Sequence, residues 1–230
     1  MKKGLYFTLF VVSIFMLGCS KGKVKDIDGN IYKIVKIGNQ VWMAENLKVI
    51  HYNDGSEITF VPSVYWEDMD EGAYCSYEND ESIHEKLGYL YNWYAVETGK
   101  LAPKGWHVPT DKEWKELELA LGMSENESNK RKHWRGTNEG SKLSSDSEFW
   151  DDGNLEKDAE FGTSGFNTLP GGFRTNNHAR YNCIGEYGMF WTSTDYMNHA
   201  FVREINYDSS KIYYNAYNKK GGYSVRCVRD

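Results

Sequence analysis

The chain has 230 residues, with 27 Lys and Arg against 33 Asp and Glu and a formal net charge of −6. A mean hydropathy of −0.67 excludes a multi-span membrane protein, and the acidic balance excludes a basic nucleic-acid binder. Aromatic residues make up 15% of the chain and Pro only 4 residues, which excludes a disordered tether over most of the length. One globular domain of this size can bury a core without a metal or a disulfide.

The first element reads as an export signal. Lys2 and Lys3 precede residues 5–17, which carry no charge and are too few to span a bilayer as a helix. The run closes on Met16-Leu17-Gly18-Cys19-Ser20, which is similar to a bacterial lipobox, with Met16 where Leu is usual. The reading is a signal peptide over 1–18, Cys19 as the lipidated first mature residue, and a short spacer through 24. The expected location is the cell envelope, lipid-anchored at the outer membrane, with the leaflet face open. Without Lys2 and Lys3 the balance is 25 basic against 33 acidic residues, or −8, so the body should stand off anionic headgroups. Export implies an oxidising compartment, where Cys75, Cys183 and Cys227 can form at most one disulfide, and the sequence leaves the pairing open.

From residue 24 the pattern is strand and turn. Residues 24–27, the turn Asp28-Gly29-Asn30, residues 31–37, the turn Gly38-Asn39 and residues 40–44 together give a hairpin signal. Residues 49–77 read as long loops. Over 85–97, Leu87, Leu90, Tyr91, Tyr94 and Ala95 fall at helical spacing before Gly99 and predict one amphipathic helix. Thr110 with Glu113 predicts a capping box that opens a second helix, with Trp114, Leu117 and Leu121 as its buried stripe and Gly122 as its stop. Residues 123–132 read as a polar, mobile insertion and 142–166 as an acidic loop. After Pro170-Gly171-Gly172, strands are expected at 189–194, 200–207, 211–217 and 223–228, with turns short enough to make antiparallel neighbours. A helix pair between a hairpin and a meander predicts an α+β domain.

Several strings then read together: Trp42-Met43-Ala44-Glu45-Asn46-Leu47, Tyr74-Cys75-Ser76-Tyr77-Glu78-Asn79-Asp80, Tyr89-Leu90-Tyr91-Asn92-Trp93, Gly105-Trp106-His107-Val108-Pro109-Thr110, Leu169-Pro170-Gly171-Gly172-Phe173-Arg174 and Gly222-Tyr223-Ser224-Val225-Arg226-Cys227-Val228-Arg229-Asp230. In this order, over about 25–230, they closely resemble the Fibrobacter succinogenes major paralogous domain family. The resemblance implies a C-type lectin-like fold, in the branch shared with formylglycine-generating enzymes. That fold has two helices packed on a small twisted antiparallel sheet, with long loops carrying the function. Relatives often carry Cys where this chain has Ala102, so their disulfide does not transfer. Cys75 with Cys227 becomes the substitute, and Cys183 is the competing partner.

Local catalytic motifs are absent: no Gly-x-Ser-x-Gly, phosphate-cradling glycine loop, His-Glu-x-x-His or Cys-x-x-Cys occurs, and the reading is not an enzyme. The alternative is a copper and thiol oxidase-like relative of formylglycine-generating enzymes, with Cys183 and a second thiol holding Cu(I). A non-catalytic structural envelope lipoprotein is the third possibility. Glu78, Asn79 and Asp80 cluster oxygen ligands that can hold one Ca²⁺, although no fixed calcium-loop spacing is met and a solvated acidic loop is the plainer reading. His107 reads as a packed core histidine, because nothing at ligand spacing accompanies it. Trp42, Trp93, Trp106, Trp114 and Trp191 read as core.

The most suggestive surface is C-terminal. Asn176, Asn177, Arg180, Tyr181, Tyr196, Tyr214, Asn215, Tyr217 and Asn218 mix tyrosine with small amides, as binding loops do, and aromatic and amide groups suit a sugar ring. Alternating tyrosines packed on a sheet explain the same pattern, and the sequence leaves the two readings even. The expected partner is a protein or carbohydrate of the envelope or environment. The membrane is met only through the lipid, and no nucleic acid is expected.

Overall fold

The computed structural model describes residues 22–62 and 64–230. The signal-peptide region and Cys19 lie outside the described residues. Fourteen strands and five α-helices follow one another in the described chain. They are β1 (Lys23–Lys25), β2 (Ile31–Ile37), β3 (Gln40–Met43), β4 (Thr59–Phe60), β5 (Ala73–Cys75), α1 (Glu81–Leu87), β6 (Leu90–Tyr91), α2 (Trp93–Glu97), β7 (Trp106–His107), α3 (Asp111–Ala120), α4 (Glu125–Ser128), β8 (His133–Arg135), α5 (Glu139–Leu143), β9 (Gly171–Arg174), β10 (Tyr181–Ile184), β11 (Tyr187–Tyr196), β12 (His199–Asn206), β13 (Ser209–Asn218) and β14 (Val228–Arg229).

The strands form three sheets, ordered β1-β2-β3-β14-β7, β10-β9-β11-β12-β13-β8 and β4-β5-β6. Pairing is mostly antiparallel, with parallel contacts between β4 and β5 and between β9 and β11. The expected small sheet with two helices is thus too simple: strand dominates, and only α3 reaches 10 residues. The hairpin β2–β3 turns at Gly38-Asn39 as read from the sequence, pairing Ile37 with Gln40 and Ile34 with Met43. The meander β11–β12–β13 is antiparallel as expected. Of 223–228, by contrast, only the last residue is ladder strand: Tyr223 and Ser224 make isolated bridges, and β14 slots between β3 and β7. The chain end is thereby tied to the N-terminal hairpin.

The single helix expected over 85–97 is broken in two. Gly88 adopts φ +74, and a Cβ there would lie 2.7 Å from the Asn46 Cβ and 2.8 Å from the Leu47 carbonyl oxygen. Only glycine fits that turn. Leu90 and Tyr91 then pair with Cys75 and Tyr74 as strand. Asn92 restarts the helix, because its buried side-chain oxygen accepts from the Ala95 N–H at 3.1 Å and from the Ala73 N–H at 2.9 Å. Helix α3 follows the sequence reading closely. Thr110 Oγ1 accepts from the Glu113 N–H at 3.2 Å, Glu113 Oε2 accepts from the Thr110 N–H at 2.8 Å, and Gly122 at φ +114 lets the chain leave.

Two segments read as loops are built into the core. Met123 and Ser128 are buried around α4, and the Ser128 carbonyl accepts from the Arg135 guanidinium, so 123–132 is anchored. Leu143, Trp150, Leu155 and Phe166 belong to the same apolar cluster as Trp42, Trp114 and Phe190. Trp42 and Trp114 meet with ring centroids 5.2 Å apart. Trp42, Trp93, Trp114 and Trp191 are buried, as the sequence suggests, whereas Trp106 is half-buried.

Candidate functional site

The six-stranded sheet has two unlike faces. On one, α3 packs against β11 and reaches β12 and β8 through a wholly buried carboxylate that organises the contact. Glu118 Oε1 accepts from Arg203 Nε at 2.6 Å and from Arg135 Nη2 at 2.8 Å, and Arg203 Nη2 donates to Asp111 Oδ1 at 2.9 Å. Burial opposes the Arg203 charge, but the Glu118 and Asp111 carboxylates outweigh it and hold its pKa above the ordinary value. Tyr214 stacks here under both guanidiniums, 4.1 Å from Arg203 and 4.6 Å from Arg135, and is 4% exposed. It is therefore a packing residue and not the ligand contact expected from the sequence.

The opposite face follows from the register. Trp134, Tyr213, Glu204 and Met189 stand side by side across β8, β13, β12 and β11, and Asn215, Val202 and Trp191 form the next rung. Directly opposed residues share a face, so these side chains all project to the side away from α3. Met189, Val202 and Trp191 are sealed beneath α2 and Tyr223 and Glu204 is buried, while Trp134 is 37% exposed and Tyr187, Tyr213, Asn215 and Tyr217 are partly exposed. Phe173 and Tyr187 meet edge to face at 6.4 Å, and Trp134 and Tyr213 lie 5.3 Å apart.

Glu204 sits in the middle of this aromatic surface, 6% exposed. Its Oε1 accepts from the Tyr217 hydroxyl at 2.6 Å, and among the described residues no cation pairs with it. Burial pushes its carboxyl up to about 7, which the Tyr217 hydrogen bond only partly offsets. The carboxyl thus changes charge near neutrality at the centre of an open aromatic face.

The remaining residues singled out from the sequence scatter. Asn176, Asn177 and Arg180 are exposed on a loop held by Thr175 Oγ1, which donates to the Asn177 carbonyl at 2.6 Å and accepts from the Arg180 N–H at 3.0 Å. Tyr181 packs on Tyr77, and its hydroxyl donates to Asn79 Oδ1 at 2.9 Å. Tyr196 packs against Phe201 beneath Arg131, while Asn218 Oδ1 closes a turn by accepting from the Lys220 N–H. Of the nine, Asn215 and Tyr217 belong to the open face. Trp134, Tyr187 and Glu204 were missed, although the alternation Ala200-x-Val202-x-Glu204 already placed a lone carboxylate on an apolar strand face.

Two of the residues considered for Ca²⁺ are engaged within the protein. Asp80 caps α1 by accepting from the Ser82 N–H at 2.8 Å, and the Asn79 amide is engaged by Tyr181 and the Pro62 carbonyl. Among the described residues no group of three or more His, Cys, Asp or Glu is arranged to hold a metal. His107 is not a packed core residue: its side chain is 37% exposed and bridges Glu113 Oε1 and Asp230 Oδ1, each at 2.7 Å. Cys75, Cys183 and Cys227 are free thiols. The Cys75–Cys227 disulfide is not formed, because the two are buried in different apolar clusters, and Cys183 is only half-buried on the edge strand β10.

No curated protein and no solved structure matches the chain. A family model, the Fibrobacter succinogenes major domain, matches residues 35–229. That span takes in the end of β2, all of β3 and α3, and the whole meander that carries the aromatic face, and on it the chain belongs to the Fibrobacter succinogenes major domain family.

Proposed function

We propose that this domain is a lipid-anchored binding module of the bacterial cell envelope that recognises a glycan on the open face of the six-stranded sheet. The observation that carries the reading is the surface of Trp134, Tyr187, Tyr213, Asn215 and Tyr217 around the buried carboxyl of Glu204. Sugar rings offer apolar faces that stack on aromatic side chains, and hydroxyls that pair with amides, phenols and carboxyls. A rigid sheet holds such groups in place at little entropic cost on binding. The anchor is assigned to Cys19 at the end of the uncharged N-terminal run, and a C-type lectin-like scaffold is the fold that the family resemblance implies.

The test is a glycan-array and envelope-extract screen of the 20–230 fragment, with and without calcium, against a Trp134→Ala/Tyr213→Ala variant. Saturable binding that the variant loses, with its melting temperature retained, supports the reading. Binding that survives both substitutions refutes the assignment to this face.

A further inference from the structure

A cleft of about 530 Å³ opens between the β2–β3 hairpin and the segments around residues 145 and 168, and shares no residue with the aromatic face. Its volume is in the range of small-molecule sites. Arg226, 1% exposed, lines its floor. Arg226 donates to the Asn46 side-chain oxygen and to the carbonyls of Met43, Phe166 and Asn167, and among the described residues no carboxylate forms an ion pair with it. A positive charge is thus held out of water by neutral dipoles, with Glu45 as the nearest carboxylate influence. Burial lowers its pKa to about 9, still leaving it charged at neutral pH.

The walls carry charges of both signs. Lys48 and Glu85 neutralise each other at 2.7 Å. Lys33 on the hairpin has no ion-pair partner among the described residues, nor has Lys86, whose Nζ lies over the Phe149 ring, and neither has Asp146 in the segment around residue 145. The Ser145 hydroxyl and Asn167 amide beside Asp146 make no side-chain hydrogen bond within the described protein. Asp146 and Asn167 both adopt φ +60, a strained region that Asp and Asn tolerate better than most residues. An anion alone would meet repulsion from Asp146 and Glu45, and a cation alone would meet Arg226, Lys33 and Lys86. One small molecule carrying both charges satisfies both walls.

We propose that this cleft binds a small zwitterion with an ammonium and a carboxylate, the chemistry of an amino acid or short peptide with free ends. The carboxylate lies toward Lys33 and the field of Arg226, and the ammonium lies toward Asp146. Binding is non-covalent, and its recognition elements are charge and the polar Ser145 and Asn167 side chains.

The test is calorimetry on the full chain in detergent with three probes: alanyl-alanine, its N-acetylated form, which keeps only the carboxylate, and its C-terminal amide, which keeps only the ammonium. The expected result is saturation by alanyl-alanine below about 1 mM and at least tenfold weaker binding of both blocked forms. Lys33→Gln should weaken the dipeptide and the N-acetylated form about tenfold. Asp146→Asn, which keeps a residue tolerant of φ +60, should erase the preference for the free dipeptide over the N-acetylated form. No saturation by any probe at about 10 mM, equal binding of the N-acetylated form, or dipeptide binding indifferent to both substitutions each overturns the proposal. These surface substitutions leave Arg226 and the fold intact, which the melting temperature checks.

Discussion

The Tyr217 hydroxyl donates a 2.6 Å hydrogen bond to Glu204, from a neighbouring strand and across a sheet face made mostly of aromatic and aliphatic side chains. The bond gives a buried carboxyl one good partner and no counter-charge. The result is a group whose protonation is coupled to folding.

The first prediction concerns pH. The Glu204 carboxyl titrates near 7 in the folded chain against an ordinary 4.5, so between these values the folded state holds the extra proton. Its contribution to stability is fully present below pH 4.5 and is lost as pH rises through about 7. Glu204→Gln keeps an acceptor for Tyr217 and removes the titration. Denaturant unfolding at pH 4.5 should not separate the two proteins by more than about 1 kcal/mol, and at pH 8 the variant should be more stable, by up to about 3 kcal/mol. Parallel pH profiles for the two proteins would contradict the assignment.

Glu118 ties α3 to the sheet through two buried guanidiniums. Removing it leaves Arg203 only Asp111 and Arg135 only the Ser128 carbonyl, so Glu118→Ala should cost about 3–5 kcal/mol in urea unfolding. A double-mutant cycle with Arg135→Met should show coupling of at least about 0.5 kcal/mol. Additive losses would mean that the network is not cooperative.

His107 bridges the capping residue Glu113 and the final residue Asp230. Burial disfavours its charged ring, but the hydrogen bonds to the two carboxylates outweigh that and hold the pKa above 6.5. Stability from this ring is therefore full below pH 6.5 and declines as pH rises through the folded pKa. NMR titration should show the shift in the parent protein and a return toward 6.5 in Asp230→Asn. An unshifted histidine in the parent protein would show that the bridge does not persist in solution.

The thiols give a direct check of the core assignment. Cys75 and Cys227 are buried and Cys183 is half-buried, so a native-state thiol reagent should modify Cys183 first and reach the other two only on unfolding. Burial raises the pKa of Cys75 and of Cys227 and reinforces their inertness. Peptide mapping without reduction should return all three as thiols, and a Cys75–Cys227 crosslink would contradict the structure.

Local signals in the sequence were sufficient for the β2–β3 hairpin, the Thr110–Glu113 capping box and the C-terminal meander. A two-residue turn, a side chain reaching three residues along a helix, and a two-residue alternation are all decided within a few positions of each other. The motif order was enough for the family.

Tertiary structure decided what those signals leave degenerate. Helical spacing over 85–97 was overruled by Gly88, whose missing Cβ lets Asn46 and Leu47 approach, and by Asn92 reaching back to Ala73. Alternation put Tyr213, Asn215 and Tyr217 on one face and Tyr214 on the other without telling which face is covered. The choice came from Glu118, which meets Arg203 across 85 residues of chain and lays α3 on the side of Tyr214. The same long-range packing separates Cys75 from Cys227 and assembles the Arg226 cleft from segments far apart in sequence. Periodicity fixes which side chains share a face, and only the packing of distant elements determines which face meets solvent.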